Sequence, residues 1–84
     1  MNELTRLPNI GPVLAENLRR IGVETPEQLR AMGAREALLR IRASVDAGAC
    51  LHQLEALEGA VEGIPKKLLP PEKKAELRGF FQKQ

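Results

Sequence analysis

Glycine and proline cut this chain into short amphipathic stretches, at Pro8, Gly22, Pro26, Gly33, Gly48, Gly63 and Pro70-Pro71. Helices of a few turns are marginal in water on their own, so such a chain folds only by packing the pieces on one another. The segment Leu7-Pro8-Asn9-Ile10-Gly11-Pro12-Val13-Leu14-Ala15-Glu16-Asn17-Leu18 reads as a tight turn opening directly into an amphipathic helix, the form of a helix-hairpin-helix. Leu7 and Ile10 close one apolar side of the turn and Gly11 allows close backbone approach. Leu14, Leu18 and Ile21 then continue one helical face.

The same punctuation places the remaining elements. Pro8 ends any helix over Leu4 to Leu7, because the residue before proline avoids the α conformation. Pro12 suits the first position of a helix running to Ile21, and Gly22 supplies its stop. Thr25-Pro26-Glu27-Gln28 is a capping box that starts a short helix carrying Leu29 and Met32 inward. A helix over Ala34 to Ala47 follows, with Leu38, Ile41 and Val45 on one face, and Gly48 ends it. Ala49 to Glu62 forms the next, in which Gly59 permits close approach of another helix; Gly63 and Ile64 cap it and Pro65 bars continuation. The last begins at Pro70-Pro71-Glu72 and turns Leu77, Phe80 and Phe81 inward. The expected fold is all-α, a compact bundle of about five to seven short helices forming one domain over residues 1–84.

Composition supports that expectation. Of 84 residues 43% are hydrophobic, nearly all aliphatic, with two Phe and no Trp or Tyr, so the core is one of interlocking aliphatic helices. A domain this small buries only about 60% of its unfolded surface, which leaves packing efficiency to supply stability. One cysteine excludes an internal disulfide, and one His with one Cys is too few for a four-ligand zinc site, so no metal or cofactor is expected. No apolar run reaches the roughly 20 residues that span a bilayer. Met1-Asn2-Glu3-Leu4-Thr5-Arg6 lacks a signal-peptide pattern, which makes a cytoplasmic location the expectation.

Cys50 and His52 are the only thiol and imidazole. Two residues apart on a helix they point about 200° apart, so they form no nucleophile–base dyad; Cys50 reads as a small core residue and His52 as a partly exposed one. Glu55, Glu58 and Glu62 form an acidic stripe without the Asp/Asn/Gly loop of a cation site, and read as a solvated face or as partners for basic side chains. No catalytic constellation emerges, so the chain reads as a binding module and not an enzyme.

Two partner classes compete. Open amides near Asn9, Ile10 and Gly11, at the positive end of a helix, suit a phosphate oxygen, with Arg19 and Arg20 on the outer helix face within reach. DNA backbone is the first candidate, contacted weakly and without sequence preference. Against it, residues 1–33 carry net charge 0, residues 34–63 carry −2 and residues 64–84 carry +4, and Glu16 can pair with either Arg19 or Arg20. The second candidate is another protein, bound through apolar helix surface or the charged faces. A basic group at Lys66, Lys67, Lys73, Lys74, Arg78 and Lys83 has no interleaved aromatic for base stacking, so any nucleic-acid contact it makes is to phosphate. Neither a membrane nor a small-molecule substrate is indicated.

The order Leu7-Pro8-Asn9-Ile10-Gly11, Leu18-Arg19-Arg20-Ile21-Gly22-Val23-Glu24-Thr25, Leu29, Gly33-Ala34, Leu54-Glu55-Ala56-Leu57-Glu58-Gly59-Ala60 and Leu69-Pro70-Pro71-Glu72-Lys73-Lys74-Ala75-Glu76-Leu77 resembles the C-terminal domain of the TfoX/Sxy competence regulators over nearly the whole chain. The resemblance implies a bacterial all-α domain of helix-hairpin-helix type and, in longer members, a role in regulating transcription of DNA-uptake genes. The segment also resembles the hairpins of DNA-binding proteins, against which Asn9 stands where the first turn glycine is usual, and Pro12 and Val13 where a small or basic residue often faces phosphate. Leu7, Ile10, Gly11 and Ala15 also match Leu29, Met32, Gly33 and Ala37 at an offset of 22 residues, which reads either as a second, degenerate hairpin or as coincidence among common helical residues.

Overall fold

In the computed structural model, residues 3–84 are described; Met1 and Asn2, the start of the segment judged against signal peptides, lie outside the described residues. A 3₁₀ turn at Glu3–Arg6 precedes α1 (Pro12–Arg20), α2 (Pro26–Met32), α3 (Ala34–Ser44) and α4 (Leu51–Glu62). A second 3₁₀ turn at Lys66–Leu68 leads into α5 (Pro71–Gln82). Among the described residues the regular structure is entirely helical, as the punctuation predicts.

The helix ends follow local chemistry. Gly22 and Gly63 adopt φ of 89° and 79°. The Gly22 and Val23 amides return to the Arg19 and Leu18 carbonyls, and those of Gly63 and Ile64 to Ala60 and Gly59. Both are Schellman stops, satisfying carbonyls that the helix itself leaves open. At α2 the Gln28 amide donates to Thr25 Oγ1 at 3.1 Å, while Gln28 Oε1 accepts from the Glu24 amide at 2.6 Å, one residue earlier than the ideal box.

Three expectations need correction. The helix expected over Ala34 to Ala47 stops at Ser44, because the Asp46 carboxylate accepts the Gly48 amide at 2.9 Å and draws the chain into a local turn. The following helix starts at Leu51, not Ala49, so Cys50 sits outside it and is exposed, not a core residue. Finally, the helical echo does not extend to the backbone: Gly33 joins α2 to α3 at φ 87°, whereas Gly11 is extended at φ −90° and ψ −178°.

Leu18, Leu29, Leu38, Ile41, Leu54, Leu57 and Leu77 are fully buried, one or more from each α-helix. Each contributes about 1.5–3 kcal/mol of apolar burial. α4 is the hub: it lies against α2, α3, α5 and the second 3₁₀ turn, and this last contact carries residues 66–68 toward the hairpin before α1.

Candidate nucleic-acid interface

Among the described residues only a 3₁₀ turn precedes α1, so the expected helix-hairpin-helix is seen here as a turn before a helix, and that turn takes its shape from Asn9. Its φ of 71° makes it the one non-glycine residue in the left-handed region among the described residues, a conformation asparagine tolerates better than most. Its side chain is fully committed inside the protein. Nδ2 donates to the Ala56 carbonyl at 3.3 Å and the Ile64 carbonyl at 3.0 Å, while Oδ1 accepts the Lys66 amide at 3.0 Å. The close approach enabled by Gly59 is therefore to this amide and to the Ile64–Lys66 backbone, and not to another helix.

Around that clamp the candidate residues divide. Ile10 is buried and its amide points back at the Leu7 carbonyl across 3.5 Å. Gly11 is exposed, and a β-carbon placed on it would meet nothing within 4 Å. The first backbone bond into α1 runs from Ala15 to the Gly11 carbonyl at 2.9 Å, and no side chain caps the helix. Because Pro12 has no N–H, the open donors at this helix start are the amides of Gly11, Val13 and Leu14. Val13 itself is 76% exposed at the tip.

Arg19 and Arg20 share one carboxylate, as their spacing from Glu16 predicts. Arg19 Nη2 lies 2.6 Å and Arg20 Nε 3.3 Å from Glu16 Oε2. Hydrogen bonding from Arg19, then from Arg20, lowers the Glu16 pKa from 4.5 to about 2. The group is solvent-exposed, so these pairs hold the side chains only loosely and leave both guanidiniums free to exchange partners.

The cations that the sequence could not associate with the hairpin are Lys66 and Lys67. They are separated from Asn9 by more than fifty residues, yet the Lys66 amide sits on its side chain. Both lysines are exposed, and neither has a carboxylate within 4.0 Å among the described residues. Lys73 behaves differently from the rest of the C-terminal basic group: its Nζ lies 3.9 Å from Glu58. The acidic stripe is accordingly not a uniformly solvated face. The Glu58 and Glu55 side chains are 15% and 13% exposed, Glu55 lying 3.8 Å from the exposed His52. Burial, then the neighbouring Glu62 carboxyl, raises the Glu58 pKa against the opposing pull of Lys73 and Arg35. Among the described residues no group of three or more His, Cys, Asp or Glu is arranged to hold a metal ion. No described helix is long and apolar enough to cross a membrane.

The fold is that of a small all-helical domain in which the turn before α1 is pinned to the far end of α4 through Asn9. The family model of the TfoX C-terminal domain matches residues 1–81, and the chain belongs to that family. Two crystal structures from Listeria monocytogenes are similar to it, each at 46% identity and a TM-score of 0.92 over 95% of this chain. One is an uncharacterized protein in a triclinic form, of which 90% is covered; the other is a protein of unknown function in a tetragonal form, of which 96% is covered. No curated protein matches the chain.

Proposed function

We propose that this TfoX C-terminal domain is a non-enzymatic, competence-related regulatory module that lays its hairpin on the phosphate backbone of DNA in the bacterial cytoplasm. The observation that carries the reading is the hydrogen bond from the Lys66 amide to Asn9 Oδ1, which ties the backbone of the segment bearing the unpaired Lys66 and Lys67 to the turn that leads into the open amides of Gly11, Val13 and Leu14. The amides set position and the lysines supply charge, a combination that grips phosphate without reading bases. Asn9 and Ile10 hold the turn, while Arg19 and Arg20 stand at its rim. Lys66 and Lys67 give a log K against log salt slope of roughly −2 by themselves.

Titrating a labelled DNA duplex at two salt concentrations tests this. Binding that weakens with salt and is reduced in Lys66→Gln/Lys67→Gln supports it. Absence of binding at low salt would instead favour a protein partner, the reading for which the bare Val13 side chain at the hairpin tip is the specific support.

A further inference from the structure

We infer that the phosphate-binding surface continues from the hairpin along α5 to a three-cation cluster of Arg42, Lys74 and Arg78, so that a DNA strand lies lengthwise on this helix. The inference rests on the nucleic-acid reading of the hairpin and extends its footprint. Lys74 and Arg78 are one turn apart, and Phe81 follows three residues after Arg78, so all three share one flank of α5. Arg42, reaching over from α3, stacks its guanidinium 4.9 Å from the centre of the Phe81 ring. Arg42 is thus held at the Phe81 end of the flank that carries Lys74 and Arg78, and none of the three cations has a carboxylate within 4.0 Å among the described residues.

The other flank of α5 is built in the opposite sense. Glu72 and Glu76 occupy it, and Glu76 pairs with Arg35 at 3.7 Å. Charge is thus divided across the helix, and none of the cations on the basic flank has a counter-charge among the described residues. Like charges one turn apart on a helix are mildly unfavourable, an opposition that a polyanion removes.

The spacing suits a phosphate strand. Side chains one turn apart have β-carbons about 5–6 Å from each other, between one and two steps of the roughly 3.4 Å axial charge spacing of one DNA strand, a gap that long flexible Lys and Arg side chains bridge. The twelve residues of α5 span about 18 Å, from just after the turn that bears Lys66 and Lys67 to the Arg42–Phe81 stack. The stack also holds the Arg42 guanidinium in one plane, reducing the side-chain freedom lost on binding.

The test uses the full chain and a duplex of about 20 bp, with the salt slope as readout. Five engaged cations, Lys66, Lys67, Arg42, Lys74 and Arg78, give a slope of roughly −4 to −5. Arg42→Gln/Lys74→Gln/Arg78→Gln is expected to bring it to about −2, the hairpin contribution alone. Lys74→Gln/Arg78→Gln, which leaves the Phe81 stack intact, is expected to give about −3 and serves if the triple variant fails to fold. A slope near −2 for the unmodified chain, or a slope unchanged in the α5 variants, overturns this inference while leaving the hairpin reading standing. No binding of the unmodified chain to DNA at low salt overturns both.

Discussion

Asn9 and Gly59 fill a single space between them: a β-carbon on Gly59 would lie 2.5 Å from Asn9 Nδ2 and 2.7 Å from the Ile64 carbonyl oxygen. Neither contact is with the loose end of a flexible side chain, so the hairpin or the residues after α4 must move to admit a methyl group. Gly59→Ala is expected to destabilise the fold by about 1–3 kcal/mol, the usual cost of overpacking, in spite of alanine's better helix propensity. Asn9→Gly keeps the left-handed backbone but leaves three backbone groups without their side-chain partner, a loss of about 1–3 kcal/mol. Asn9→Ala is expected to cost about 1 kcal/mol more, because alanine also resists φ 71°. Chemical denaturation of the three variants checks both the size and the order.

Gly11 separates fold from function. No atom lies within 4 Å of a β-carbon at this position, and its backbone is in an extended conformation open to any residue. Gly11→Ala is expected to leave the melting curve within about 0.5 kcal/mol of the parent. If DNA backbone closes on the neighbouring amides, the added methyl obstructs it and binding weakens. Unaltered DNA affinity in this variant would remove the hairpin amides from the interface.

The sequence makes the local devices legible and hides those that bring distant segments together. Gly22, Gly63 and the Thr25–Gln28 cap declare themselves because every atom involved lies within a few residues. The early end of α3 was also readable in principle, since Asp46 stands two residues before Gly48 in an Asx-type turn, but the apolar stripe through Val45 masked it. No local signal leads from Asn9 to Lys66. Their hydrogen bond joins residues 57 positions apart in sequence and depends on Gly59 leaving room for it. The hairpin's residue list could therefore be drawn from spacing, whereas the clamp role of Asn9 and the cations beside it could not.

Glu16 is expected to restrain DNA binding without supporting the fold. Its carboxylate pairs with Arg19 and Arg20 at the solvent-facing side of α1. Glu16→Gln releases both guanidiniums and removes a negative charge near α1. Tighter binding at low salt with an unchanged melting temperature is the expected result. Equal affinity before and after the substitution would place Arg19 and Arg20 outside the contact.

In α5 the burial of individual residues sets the order of effects. Leu77 is fully buried, whereas Phe80 and Phe81 are only partly buried, beneath Arg35 and Arg42 respectively. Leu77→Ala is expected to cost about 2–5 kcal/mol, and Phe81→Ala less than the about 3–5 kcal/mol typical of a buried ring. Deleting residues 76–84 removes all three and should unfold or badly loosen the protein. A truncated chain with the parent melting temperature would show that α5 is not part of the core.

Glu58 should make stability fall as pH rises. Its pKa is raised above the ordinary value of 4.5, chiefly because burial disfavours the charged form and next because the Glu62 carboxyl stands beside it. An acid whose folded pKa exceeds its unfolded one binds protons more tightly when folded. Its favourable contribution is thus complete below pH 4.5 and is lost as pH climbs through the raised folded value. Glutamine at this position imitates the protonated carboxyl at every pH. The melting temperature of Glu58→Gln minus that of the parent should therefore grow between about pH 4 and pH 7. Using the difference cancels the opposite trend from Glu16, whose lowered pKa favours folding above 4.5 and matters only toward about 2. A difference that stays flat or shrinks over that range would mean that Lys73 and Arg35 outweigh burial at Glu58.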